Sequence, residues 1–215
     1  PINIRISNMN IRLLYCLLVI IGFTSVHAQQ TWTSDGSGNW TDGNIWTTSN
    51  GATGTPPTNL DGDNIDIVIQ SGDVITLDGK LEINNNSTLN ISGGGTLEID
   101  DEFKIKKSTL NTNNITLSAT KIKIKENSTF NAINSSNISS SGEFKIKKSD
   151  VTLDNSIISA EGKLEIEDSN FNASNNSEVT TDDELKIKEG SNVTLDSSTI
   201  SAINKIDIKK STVNA

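Results

Sequence analysis

The side chains in this 215-residue sequence best suited to chemistry all lie within its first 28 positions. Cys16, His27 and Tyr15 are each the single residue of their type, and Arg5 and Arg12 are the only arginines. Such residues could supply a thiolate nucleophile, an imidazole base, a Ser-His-Asp triad or a Cys/His metal site. Their setting assigns them elsewhere. Residues 13–23 read LLYCLLVIIGF, an apolar run behind Arg12, and Val26-His27-Ala28 follows. A basic flank, a short apolar core and a small residue two after Val26 make a secretory signal peptide, with cleavage expected after Ala28. The run is too short to span a bilayer comfortably. Met9, the only Met, is the expected start, and residues 1–8 lie upstream of it. Cys16 does not close the apolar run, as a lipidated cysteine should.

The chain expected after processing begins at Gln29 and contains no Cys, His, Tyr, Met or Arg. It carries 16 Lys against 27 Asp and Glu, a net charge of −11. Disulfides, Cys/His metal centres and catalysis by His or Cys are thereby excluded. No cofactor is expected. An acidic chain without Arg argues against nucleic-acid binding, and no transmembrane segment remains.

What is left is carboxylate and lysine chemistry. Asp61, Asp63 and Asp66 alternate as calcium ligands do. They lack the remaining EF-hand spacing and its closing Glu, so they are weak metal candidates, and a turn is the stronger reading. Adjacent acids such as Asp182 and Asp183 fall between strand-like clusters and cannot be taken to straddle a glycosidic bond. No residue is expected to be catalytic.

The lysines sit in a repeat. A short motif recurs as LEI (81–83), FKI (103–105), IKI (122–124), FKI (144–146), LEI (164–166), LKI (185–187) and IDI (206–208), at spacings of 19 to 22 residues. After each comes a Ser (Ser87, Ser108, Ser128, Ser149, Ser169, Ser191, Ser211), and two residues later an apolar residue such as Leu89, Phe130 or Val193. A third apolar cluster follows in most repeats, for example Leu97/Ile99 and Ile157/Ile158. Alternation of apolar with polar residues is a strand signal, and the Asn, Asp, Ser and Gly between clusters are turn chemistry. A constant repeat carrying the same three-part pattern predicts a coil that returns above itself. The expected fold is all-β: a single-stranded parallel β-helix (solenoid) with three short strands per coil of about 21 residues. A narrow solenoid needs few inward side chains, which reconciles it with only 33% hydrophobic residues.

Periodicity carries the coils back to about Asn64, so residues 64–215 are read as β-helix. Residues 29–63 hold Trp32, Trp40, Trp46 and Pro56-Pro57 and are read as an N-terminal cap over the apolar solenoid end. The pattern stops mid-coil at Ala215 without a polar cap, which predicts a missing C-terminal part.

On the first strand of each coil, the position before the motif reads Lys80, Glu102, Lys121, Glu143, Lys163, Glu184, Lys205. Coils stack about 4.8 Å apart, so these signs should alternate along an axial column and pair. The next outward column is mostly basic, and Lys104, Lys123, Lys145 and Lys186 form the candidate binding face. Its expected partners are acidic glycans or cell-surface components. The alternative is a solvated ion-pair face that keeps register. The second strand presents almost only Thr and Asn outward. That resembles the ice-binding faces of some β-solenoids, but Asn interrupts the Thr ranks.

The segment 31–79 resembles the N-terminal region of secreted bacterial parallel β-helix surface proteins, the type IX-secreted and autotransporter-passenger-like adhesins. Gly38-Asn39-Trp40, Trp46, Pro56-Pro57, Gly72-Asp73-Val74 and Thr76-Leu77-Asp78 carry the likeness. It implies β-helix coils, export to the cell surface, an adhesive role and a separate sorting domain beyond this sequence. The expected function is therefore a non-enzymatic structural or adhesive solenoid, secreted or on the outer cell surface. The alternatives are a carbohydrate-active β-helix enzyme whose active part is missing, or a glycan- or ice-binding solenoid.

Overall fold

The computed structural model describes residues 29–49, 51 and 54–215. The expected signal peptide at 1–28, with Cys16 and His27, lies outside the described residues. The rest is a parallel β-solenoid of about seven turns. Each coil visits three faces in the same order.

The lysine sheet stacks Asn59–Asp61, Leu81–Asn84, Phe144–Lys147, Leu164–Glu167, Glu184–Lys188 and Lys205–Lys209, together with the second halves of Thr96–Lys106 and Thr116–Lys125. The asparagine sheet runs from Gln30–Ser34 through Asn64–Val68, Thr88–Ser92, Thr109–Asn113 and onward to Thr212–Asn214. The hydroxyl sheet runs from Gly38–Asn39 through Val74–Leu77, the first halves of the two long strands, Asn137–Ser140, Ile157–Ala160 and Glu178–Thr181 to Thr199–Ala202.

Inward side chains stack on their counterparts one coil away. Ile105, Ile124, Ile146, Ile166 and Ile187 pair in register on the lysine sheet and are all buried. Burying each such side chain stabilises the fold by about 1.5–3 kcal/mol, and a slim core adds up because it is repeated.

The corners explain why small polar residues recur between clusters. The first corner places one or two residues per coil at positive φ, singly at Lys107, Lys148 and Asp168 and in pairs at Asn85-Asn86 and Glu126-Asn127. The chain turns there, and the following Ser points inward and closes the corner. The Ser149 hydroxyl donates to the Lys147 carbonyl (2.9 Å) and accepts from the backbone N–H of Ser128 (3.4 Å). Ser128 and Ser169 make equivalent bonds, so a column of buried hydroxyls satisfies the corner backbone. A second such column, Ser136, Ser156 and Ser177, occupies the next corner.

Two features depart from the sequence reading. In the coils at 96–106 and 116–125 the hydroxyl and lysine strands are one continuous bent strand rather than two strands and a turn. IDDEF and ATKI have no Gly at the bend; the next two coils break there at Gly142 and Gly162, and the following one at Asp182-Asp183 without Gly. The one-residue difference between these two coils is taken up by a bulge at Ala119/Lys121. The stacking also begins a turn earlier than Asn64. Gln30–Ser34, Gly38–Asn39 and Asn59–Asp61 already pair parallel with the coil above. The excursion between Asn39 and Asn59 lengthens this first turn, which hides it from the 21-residue period. Within the excursion, Trp46–Thr48 pairs antiparallel with Gln30–Ser34 and ends the parallel stack of the asparagine sheet. Trp40 and Trp46 pack edge to face at 5.4 Å, and their indole N–H groups donate to the carbonyls of Pro56 and Trp40 (both 2.9 Å).

Candidate functional site

The period of two along each lysine strand turns Ile and Phe inward and presents charge outward. Parallel register then stacks Lys104 on Lys123 on Lys145, and Lys106 on Lys125 on Lys147. Glu82 and Glu165 bound the first column, and Glu167 bounds the second on one side.

Each of the four lysines of the candidate face meets a carboxylate. Lys104 pairs with Glu82 (2.8 Å), Lys123 with Glu102, Lys145 with Glu165 (2.5 Å) and Lys186 with Glu184 (2.6 Å). The pairing expected along the alternating column is realised directly by Glu184 and Lys205 (2.9 Å). Elsewhere long side chains reach diagonally, as from Lys123 back to Glu102, or along their own strand, as from Lys163 to Glu165. Among the described residues, Lys80, Lys107, Lys121, Lys125 and Lys148 have no ion pair.

Glu165 is the hub of this sheet. It is 1% exposed and takes bonds from Lys145 and Lys163, with Lys188 at 3.5 Å. Burial works to raise its pKa, but the hydrogen bonds and charges of Lys145 and Lys163 together outweigh burial and hold it down at about 2. Lys145 is correspondingly raised, chiefly by its bond to Glu165. Glu102 is lowered: burial opposes, and the Lys123 hydrogen bond and charge prevail. The sequence marks Glu165 only as a sign change in a lysine column. Its role as a shared partner depends on side-chain reach.

The three aspartates do separate work. Asp61 ends a lysine-sheet strand and accepts from the Asn85 amide (2.7 Å). Asp63 accepts the Asp61 backbone N–H (2.9 Å) and shapes the turn. Asp66 lies on the asparagine sheet, where it accepts from Asn90 and Gln29 (both 2.7 Å). It ends an amide ladder in which Asn131 donates to Asn111 (2.8 Å) and Asn111 to Asn90 (2.7 Å). Among the described residues, no group of three or more His, Cys, Asp or Glu is placed to hold a metal ion. None of their helices is long and apolar enough to cross a membrane.

Compared with known proteins, the chain matches no family model, no curated protein and no solved structure.

Proposed function

We propose that this chain is the rod of a non-enzymatic, secreted or cell-surface adhesive protein whose lysine sheet holds acidic glycans through many weak contacts. The observation that carries the reading is the grid of Lys104, Lys123 and Lys145 beside Lys106, Lys125 and Lys147. Like charges directly opposite across neighbouring strands are unfavourable. Acids pair with five of the six grid lysines, Lys123 with Glu102 included, while Lys125 in the middle row has no ion pair among the described residues. An anionic chain lying along the axis would relieve that repulsion, and repeated equivalent contacts gain avidity without strong single ones. The signal-peptide pattern and the likeness to exported bacterial surface proteins support the location. The absence of Cys, His and Arg after residue 28 supports a role without catalysis.

The test compares the parent with a variant carrying Lys104→Gln, Lys123→Gln and Lys145→Gln on an acidic-glycan surface across a salt series. The proposal expects the parent to adhere less as salt rises, and the variant to adhere weakly with little salt dependence. Equal adhesion by both proteins would leave the lysine sheet as a register device. Turnover of any polysaccharide by the parent would refute the non-enzymatic reading.

A further inference from the structure

A concavity lies on the hydroxyl sheet, where its strands lead into the bend before the lysine sheet. It is an open trough of about 550 Å³ that crosses six consecutive coils. Five coil steps of about 4.8 Å make it roughly 24 Å long. Two outward rows line it, two residues apart along each strand. One row is held in register as Thr76, Glu98, Ser118, Ser139, Ser159 and Thr180. The other runs Asp78, Asp100, Thr120, Ser141, Glu161 and Asp182.

The trough's chemistry is unlike that of the lysine sheet. No lysine lines it, and none of its five carboxylates is in an ion pair among the described residues. Among the described residues, Asp78 alone of the five accepts a side-chain bond, from the Asn39 amide (2.9 Å). The middle of the trough, from Ser118 to Ser141, offers hydroxyls, which both donate and accept. Its two ends offer carboxylates, which only accept. The fitting ligand is long, extended, rich in hydroxyl donors and free of negative charge.

We infer that this trough binds an extended polysaccharide chain without acidic groups, a second site separate from the lysine sheet. An extended peptide fits less well. Its same-side side chains recur about every 6.7 Å, out of step with rows repeating at about 4.8 Å. The site has no aromatic platform, so binding rests on repeated hydrogen bonds and grows with chain length. An amine-bearing sugar chain gains from Asp100 and Glu161, and a uronate chain is repelled by them.

Calorimetric titration with four probes tests this: β-1,4-linked hexasaccharides of glucose and of glucosamine, the α-1,4-linked hexasaccharide of galacturonic acid, and hexalysine. The glucose chain should bind, the glucosamine chain at least about threefold more tightly at pH 6, and the galacturonate chain should not bind the Lys104/Lys123/Lys145→Gln protein, whose lysine sheet no longer offers an acidic chain a competing site. Ser139→Tyr and, separately, the exposed Thr120→Tyr put bulk in the trough on an outward face. Each should weaken the glucose chain about tenfold or more with the circular dichroism spectrum unchanged. The Lys104/Lys123/Lys145→Gln protein should bind the glucose chain like the parent, so this site and the lysine sheet stand or fall separately. The inference is overturned if neither the glucose nor the glucosamine chain binds, or if galacturonate binds the Lys104/Lys123/Lys145→Gln protein as well as glucose does. It is equally overturned if hexalysine outcompetes both sugars, or if both tyrosine variants fold and bind like the parent.

Discussion

The Nζ of Lys145 lies 2.5 Å from Oε1 of Glu165 in the neighbouring coil, and the same carboxylate is shared with Lys163 and Lys188. One buried acid therefore serves three lysines that would otherwise repel one another.

Replacing it should be costly. Glu165→Gln keeps the shape but removes the charge, and should destabilise the fold by about 1.5–3 kcal/mol, the scale of a hydrogen bond to a charged group. The control is Glu126→Gln, whose partner Lys106 lies 3.3 Å away on a more exposed surface; it should change stability by less than about 1 kcal/mol. Urea unfolding of both variants measures the difference.

The same carboxylate sets a pH dependence. Its folded-state pKa is depressed to about 2 from an ordinary value near 4.5. The folded state therefore binds the proton less readily than the unfolded chain. The stabilisation is fully present above the unfolded pKa and is lost as pH falls from about 4.5 towards about 2. Denaturant midpoints should drop across that window for the parent. The Glu165→Gln protein should drop less, and equal slopes would show that Glu165 is not the group responsible.

Ile146 is fully buried between Ile124 and Ile166. Ile146→Asp buries an unpaired carboxylate and should be among the worst single changes, at several kcal/mol. Thr152→Asp, on the exposed face of the neighbouring sheet, should be nearly neutral. Thermal unfolding of the pair checks the inward assignment, and equal melting temperatures would contradict it.

Deleting residues 122–143 removes one coil and brings Phe144 to the place Ile122 holds above Phe103. The shortened chain should keep a β-dominated circular dichroism spectrum and cooperative unfolding, because each coil contacts chiefly its neighbours. A molten or aggregated product would mean that the coils are less interchangeable than their register shows.

The corner serines give a sharper test. Ser149→Ala leaves the Ser128 N–H without its buried acceptor and should cost about 1–3 kcal/mol. Ser141→Ala, on the exposed trough rim, should cost less than about 0.5 kcal/mol. Chemical denaturation separates the two.

The coil and its three faces were legible in the sequence because the apolar clusters alternate and return at a near-constant spacing. The first corner serines were legible for the same reason. The second serine column was available at spacings of 20 and 21 residues from Ser136 to Ser177, but it starts late and Ile115 holds its place one coil earlier. The first turn escaped because the Trp-bearing excursion breaks the period. The partners of Lys123 and Lys186 could not be read from a column of signs: a lysine side chain reaches diagonally or along its own strand as readily as along the axis. The trough was hidden for another reason. Its residues are ordinary Ser, Thr, Asp and Glu, and only register sets them in two rows.

The parallel register also dictates how the rod answers a pull. Strands lie across the long axis, so the hydrogen bonds between coils point along it. Tension applied between the two ends therefore loads those bonds one coil at a time, like a ribbon peeled from its spool. Each released coil of about 21 residues frees roughly 70 Å of extended chain. Pulled from its ends, the solenoid would yield in small, nearly equal steps, absorbing a jerk that a single cooperative rupture would transmit whole.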